Sequence, residues 1–257
     1  MNSYVCLDTE ATGLSPKHDK IIEIGAVKVI DGEIADTFST FVNPGRKLDE
    51  RIVELTGIKD EDLESAPDIK DVIAGFVEFC EDLPLLGHHI ISDFAIIKQA
   101  AVNNKQPFDK AGVDTLRISR VLYPELESKR LKDMCNHLGI KLEAHRALND
   151  AIATKELFDK LCDELEKKYP GSVKIAEQAT SSDTASKGDY SKLCALFEPQ
   201  PLIYHVKKES PIRKNQKEKL TFLIERFNID FNIDIDKMSC NEASRTIDKI
   251  LAKYGRQ

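Results

Sequence analysis

Close cysteine pairs are missing from this sequence: Cys6, Cys80, Cys135, Cys162, Cys194 and Cys240 are scattered along the chain. That spacing excludes a zinc ribbon, a CxxC redox site and a disulfide framework, and leaves the thiols as small buried hydrophobes or bystanders. Long apolar runs are missing too, since none approaches the roughly 20 residues that span a bilayer. The first predicted strand begins almost at Met1, leaving no room for a basic segment followed by a signal core, so the expectation is a cytoplasmic protein without membrane contact. Nor is there a surplus of positive charge. A formal net charge of -7 excludes a protein that grips nucleic acid over its whole surface. A local basic track is not excluded: from His205 to Lys219 six cations face two acids, so positive charge is gathered toward the C-terminal part. What the chain does have is 257 residues, 41% of them hydrophobic, enough for one substantial domain and a smaller one.

The stretch that organises the rest is Tyr4-Val5-Cys6-Leu7-Asp8-Thr9-Glu10, an apolar, partly β-branched run ending in two carboxylates. It reads as a buried strand. Side chains on a strand repeat every second residue, so Asp8 and Glu10 point to one face with Cα atoms about 6.5 to 7 Å apart. Two like charges at the end of a buried strand cost energy, and a divalent cation with oxygen ligands removes that cost. Alone, the pattern more often marks a strand running into a solvated loop.

Downstream, Ala11 to Pro16 is a turn with free backbone amides, bent by Gly13 and Pro16. Ile21 to Ile30, the Asp31-Gly32 hairpin signal and Glu33 to Val42 then imply three antiparallel strands in a row. Short helical pieces around Asp49 to Leu55 and Asp60 to Leu63 precede a helix from Ile69 to Cys80. Leu83 to His88 reads as a buried strand parallel to the first. It leads into a helix from Ser92 to Asn103 with Asp93 in its first turn, where the helix dipole favours a carboxylate. A strand at Gly112 to Leu116 and helices at Arg117 to Leu122 and Leu131 to Leu138 follow. A long helix reaches about Lys168, with Asp150 near its start on a flank of Ala147, Ala151 and Thr154 and with His145 on the loop before it.

Residues 169–189 are polar, small and without period, which reads as a flexible linker. The spacing thus predicts a domain over 1–168, that linker, and a small helical accessory unit led by basic residues over 190–257. Its first helix is expected to open at Ser210-Pro211 and its second at the capping box Ser239-Cys240-Asn241-Glu242. The acids between them lack the glycine and final glutamate of a calcium loop, and that reading is rejected. Lys192-Leu193-Cys194-Ala195-Leu196-Phe197 loosely resembles a sliding-clamp peptide without its leading glutamine, and a local hydrophobic anchor suits it better.

The element order, with acids at Asp8, Glu10, Asp93 and Asp150 and a histidine at His145, resembles the DEDDh 3'-5' exonucleases. More narrowly it is similar to the epsilon proofreading subunit of bacterial DNA polymerase III and its free-standing relatives. Three ordered blocks within residues 3–165 carry the likeness: Asp8 to Leu14, Gly87 to Asp93, and His145 to Ala151. The resemblance implies an α/β ribonuclease-H-like fold, a mixed five-stranded sheet flanked by helices. It implies that Asp8, Glu10, Asp93 and Asp150 hold two Mg²⁺ or Mn²⁺ ions, with His145 as general base for an attacking water. It also implies substrate contacts at Thr9, Thr12, Gly13, Leu14 and His89, Leu14 wedging against the last base. The family has asparagine where His89 stands and an aromatic where Ser92 stands, a departure that touches nucleotide preference more than metal binding.

The leading reading is a metal-dependent 3'-5' exonuclease that cuts DNA from its 3' end to nucleoside 5'-monophosphates, in replication proofreading or repair. Its expected partner is nucleic acid with a free 3' end, with a DNA polymerase or sliding clamp as a further candidate. The alternatives are an RNA-trimming exoribonuclease of the same family and a catalytically silent nucleic-acid-binding module. Retention of all four acids and His145 counts against the last.

Overall fold

A computed structural model describes residues 1–169, 187–206, 210–231 and 233–255, without the side chains of 187–190. Most of the expected linker, together with Lys207 and Lys208, lies outside the described residues. The nuclease-like part begins with strands β1 (Tyr4–Ala11), β2 (Ile21–Ile30) and β3 (Glu33–Phe41). Helices α1 (Glu50–Thr56), α2 (Asp60–Glu64) and α3 (Ile69–Cys80) lead to β4 (Leu85–Gly87) and α4 (Ile91–Asn103). Then come β5 (Ala111–Asp114), α5 (Thr115–Leu122), α6 (Leu131–Leu138) and the long α7 (Ala147–Lys168). Asp49, Asp68 and Asp114 cap the starts of α1, α3 and α5 by accepting from backbone N–H groups.

The sheet has six strands in the order β3-β2-β1-β4-β5-β6, where five were expected. The sixth, β6 (Gln200–Pro201), pairs antiparallel with β5. Its two residues carry too little period to be seen in the sequence, and its proline is tolerated because the strand lies at an edge. β1 is antiparallel to β2 and parallel to β4, the mixed ribonuclease-H-like arrangement that was anticipated.

Strand alternation sorts the core into two layers. On β1, Tyr4 and Cys6 pack with Val27, Val29, Leu157 and Phe158 under α7, while Val5 and Leu7 pack with Phe76, Ile97 and Phe94 of α3 and α4. Asp8 and Glu10 continue the parity of Tyr4 and Cys6, so they emerge on the α7 face. α7 comes unusually close to the sheet there. A Cβ on Gly25 would stand 2.0 Å from the Leu148 nitrogen and 2.1 Å from the Ala147 carbonyl carbon, so only glycine fits beneath the helix start. Cys6 donates its thiol to the Ala151 carbonyl at 3.1 Å, in line with a buried bystander.

The C-terminal part divides differently from the expectation. Helix α8 (Lys187–Ala195) delivers Leu193 and Phe197 into the α7-side core, and Leu202 and Tyr204 pack on the other layer. Residues 193–204 therefore belong with the nuclease-like part, and the clamp-like peptide is a local anchor. A separate core of Leu220, Leu223, Met238, Ile247 and Ile250 joins α9 (Lys214–Phe227) to α10 (Cys240–Tyr254). The capping box at Ser239 and Glu242 is present, with reciprocal bonds of 2.9 and 3.2 Å. α9 starts at Lys214, later than expected, because Pro211 pairs with Ser239 in a short bridge that keeps that segment extended. Among the described residues no helix is long and apolar enough to cross a membrane.

Candidate active site

Three elements bring carboxylates together. Asp8 and Glu10 project from β1 and Asp150 from the first turn of α7, and one oxygen from each lies within 4.8 Å of the others. Two local features aim Asp150. Gly25, the register partner of Asp8, lets α7 descend onto the sheet. The His145 backbone N–H then donates to Asp150 Oδ2 at 2.9 Å, with His145 held at φ +70° and its side chain exposed beside the cluster.

Asp93 is not part of that close trio. It arrives from α4, in the opposite layer, and its Oδ1 accepts from the Thr9 N–H at 2.9 Å and the Thr9 hydroxyl at 2.7 Å. Asp93 thereby satisfies the edge of β1 beyond the point where β4 stops pairing. It is buried, and its charge acts on both Asp8 and Glu10.

Sequence reasoning missed Glu23. It sits on β2 opposite Glu10, only 2% exposed. Arg146 donates to its Oε1 through Nε and Nη2, each at 3.1 Å, and the Ala147 N–H donates to Oε2 at 3.2 Å. This pair pins the start of α7 to the sheet. The available signal was an acid in the otherwise apolar run Ile21-Ile22-Glu23-Ile24.

No lysine or arginine pairs with Asp8, Glu10 or Asp150 among the described residues. The energetic consequence is visible in their acidity. Burial pushes the Asp8 carboxyl well above the usual carboxylate range, and Asp93, Asp150 and Glu10 push it further. Glu10 is raised to about 7 by burial and then by Asp150, Glu23 and Asp93. Burial raises Asp93 to about 6 despite the bonds from Thr9, and raises Asp150 against the opposing His145 N–H. Hard oxygen donors, crowded, half-buried to buried and unpaired with lysine or arginine among the described residues, fit a divalent metal such as Mg²⁺ or Mn²⁺.

The remaining predicted residues surround this cluster. Leu14 is 99% exposed at the tip of the turn after β1. Thr12 is tied into the turn: its hydroxyl accepts from the Lys20 N–H at 2.9 Å and from Arg46. Gly13 lies over Asp19, whose carboxylate would be 2.6 Å from an added Cβ. His89, at φ +73°, donates its N–H to Asp114 at 2.9 Å, and its ring Nδ1 is 3.0 Å from the Ser92 hydroxyl. The two residues that depart from the family pattern are thus partners of each other.

A mixed sheet with acids gathered at the end of its central strand defines a nuclease of the ribonuclease-H-like class. The RNase_T exonuclease model matches residues 5–158, and the chain belongs to this exonuclease family. It is 41% identical over 170 residues to a DNA polymerase III PolC-type of Clostridium perfringens, an alignment covering 64% of this chain and 12% of that one. With the PolC-type protein of Caldanaerobacter subterraneus it shares 36% identity over 231 residues, 89% of this chain and 16% of the other. The chain thus spans a small fraction of these polymerases. Among solved structures, E. coli Exonuclease I in complex with a dT13 oligonucleotide aligns with a TM-score of 0.58 at 16% identity over 68% of this chain and 44% of that one. The nuclease domain of 3'hExo, a DEDDh family member bound to rAMP, aligns with a TM-score of 0.53 at 22% identity over 63% of this chain and 92% of that one. At those identities the structural likeness speaks for the fold.

Proposed function

We propose that the protein is a divalent-metal-dependent 3'-5' exonuclease that shortens DNA from its 3' end and releases nucleoside 5'-monophosphates, in replication proofreading or repair. The observation that carries this reading is the trio of Asp8, Glu10 and Asp150, gathered within 4.8 Å without a protein cation. Asp8, Glu10, Asp93 and Asp150 would hold the metal, two ions of Mg²⁺ or Mn²⁺ among four carboxylates. Bound there, such ions supply the positive charge that activates water and neutralises the leaving 3' oxygen.

The chain's own groups do the rest. Thr9 orients Asp93, the His145 amide orients Asp150, and Glu23 with Arg146 holds the helix start from which Asp150 projects. The exposed His145 ring takes the proton of the attacking water as general base, a role worth about 10²- to 10⁴-fold. Leu14, unsupported by any core, stacks against the terminal base, while Thr12, Gly13 and His89 line the path of the 3' nucleotide.

DNA is favoured because the curated relatives are DNA polymerases by name and one structural neighbour holds a DNA oligonucleotide. The specific observation on the side of RNA is the neighbour bound to rAMP. A polymerase is the preferred partner. A clamp contact through Leu193 and Phe197 would require both to leave the core. A cytoplasmic setting agrees with six free cysteines.

The test is a timed digest of 5'-labelled single-stranded, duplex and 3'-mismatched DNA and of matching RNA, with Mg²⁺, Mn²⁺ or EDTA. The reading expects a ladder that shortens from the 3' end, mononucleotide products, no cutting in EDTA and none by Asp8→Ala. Undiminished cutting by that variant, or cutting in EDTA, would overturn it.

A further inference from the structure

Between the nuclease-like part and the α9-α10 pair lies a cleft of about 670 Å³. One wall is formed by residues of the turn after β1, the loop after β3 and the outer face of α4, the other by α10 and the segment before it. The acids along it are spoken for. Asp19 pairs with Arg46 at 3.3 Å and Glu242 with Lys20 at 3.5 Å, while Lys237 lies 3.9 Å from Asp68 and 3.8 Å from Asp234. Four further cations line the same space: Lys17 and Lys70 on the nuclease side, Arg245 and Lys249 on α10. None of these four has a carboxylate partner among the described residues.

The placement of those cations is specific. Arg245 and Lys249 are one turn apart on α10, on a face distinct from its buried stripe of Ala243, Ile247 and Ile250. Lys20 and Arg46, at the edge of the cleft, are the residues whose groups hold the Thr12 hydroxyl, so the cleft is continuous with the turn that carries Leu14. No described cation of the basic stretch singled out in the sequence lines the cleft. Lys214 pairs with Glu218 and Lys217 with Asp236, and neither lines the cleft.

We propose that this cleft is the track of the single strand feeding the active site, its phosphates running between Lys17 and Lys70 on one side and Arg245 and Lys249 on the other. The direction of the strand, 3' end toward Leu14, rests on the exonuclease reading; the binding itself does not. Cations on both walls match a polyanion, and in a chain of net charge -7 such a local surplus is what attracts one.

The experiment measures binding of fluorescein-labelled dT20 to the full chain in EDTA by anisotropy across a salt series. Loss of two phosphate contacts flattens the dependence of log affinity on log salt by about 1.4 for single strands. Arg245→Ala/Lys249→Ala is expected to show that flattening and at least a fivefold loss of affinity at low salt, and Arg245→Lys/Lys249→Arg to restore both. An unchanged slope and affinity in the alanine variant, or failure of the conservative variant to restore them, would overturn the track. Mn²⁺-dependent hydrolysis of the p-nitrophenyl ester of thymidine 5'-monophosphate by the unmodified protein reports on the carboxylate site alone. Its absence would sink the exonuclease reading and leave the slope measurement to decide the cleft.

Discussion

The carboxylate pocket and the cleft carry opposite uncompensated charge, and burial makes them behave differently. In the pocket, Asp8, Glu10 and Asp150 sit in a framework of apolar strand and helix residues, and the cost of burying them, with the repulsion of neighbouring acids added, appears as raised acid constants. In the cleft, Lys17, Lys70, Arg245 and Lys249 lie on half-buried or exposed faces where water screens them. A buried surplus demands a specific counterion at fixed geometry. An exposed surplus gives a salt-dependent attraction for any strand of phosphates. The same contrast separates Glu23 from its neighbours: paired with Arg146 and the Ala147 N–H, it serves to build the site, whereas Asp8 and Glu10 have no lysine or arginine partner among the described residues.

The sharpest way to break this contrast is to remove a charge from the pocket. Glu10→Gln should abolish metal-dependent nucleotide release in the digest while stabilising the metal-free fold at pH 8, measured as a higher Tm in EDTA. The sign follows from the acid constants. Glu10 moves from 4.5 to about 7 on folding, so below pH 4.5 both folded and unfolded chains are protonated and no penalty exists. As pH rises through 7 the folded chain loses its extra proton and the full repulsion is felt. The Tm advantage of Glu10→Gln should therefore grow between those limits, and Mn²⁺ at pH 8 should raise the Tm of the unmodified protein more than that of the variant.

Gly25→Ala comes next. The added Cβ forces α7 away from β2 and carries Asp150 with it, and a displacement of about 1 Å in a reacting geometry can cost about 10²-fold. Activity should fall by that order with Asp8 and Glu10 untouched; normal turnover would mean that the helix position is not critical. Glu23→Gln should cost about 10- to 100-fold, the range for groups that orient ligands rather than supply them. Truncation sharpens the boundary between the two regions. Ending the chain after Lys168 strips Leu193 and Phe197 from the core and should lower the Tm, each such side chain being worth about 2 to 5 kcal/mol. Ending it after Val206 should leave the Tm of the nuclease-like part unchanged while removing one wall of the cleft. Leu14→Ala should be the mildest: stability within about 0.5 kcal/mol of the original, because the side chain is 99% exposed, with a raised KM for 3' ends.

Much of this was legible from periodicity. The run from Tyr4 to Glu10 placed two acids on one face, the Asp31-Gly32 signal placed the hairpin, and the small residues flanking Asp150 marked the side of α7 that approaches the sheet. What escaped has physical causes. The alternation of β2 carries no sign that α7 covers it, so the burial of Glu23 and the demand for glycine at 25, which arises from a helix more than 120 positions away, stay hidden in the sequence. β6 is a two-residue edge pairing without a pattern of its own. The boundary near 190 was drawn from composition, which cannot reveal that Leu193 and Phe197 complete a distant core. Net charge by segment pointed to the stretch before α9, whereas ion pairing consumes part of that charge and leaves α10 to supply the free cations.

The most direct measurement is a calorimetric titration of the full chain with Mn²⁺ at pH 8, alongside Asp8→Asn and Asp150→Asn. Saturable binding by the unmodified protein that is lost in both variants is the predicted result. Equal binding by all three proteins would contradict the claim that these carboxylates form the metal centre.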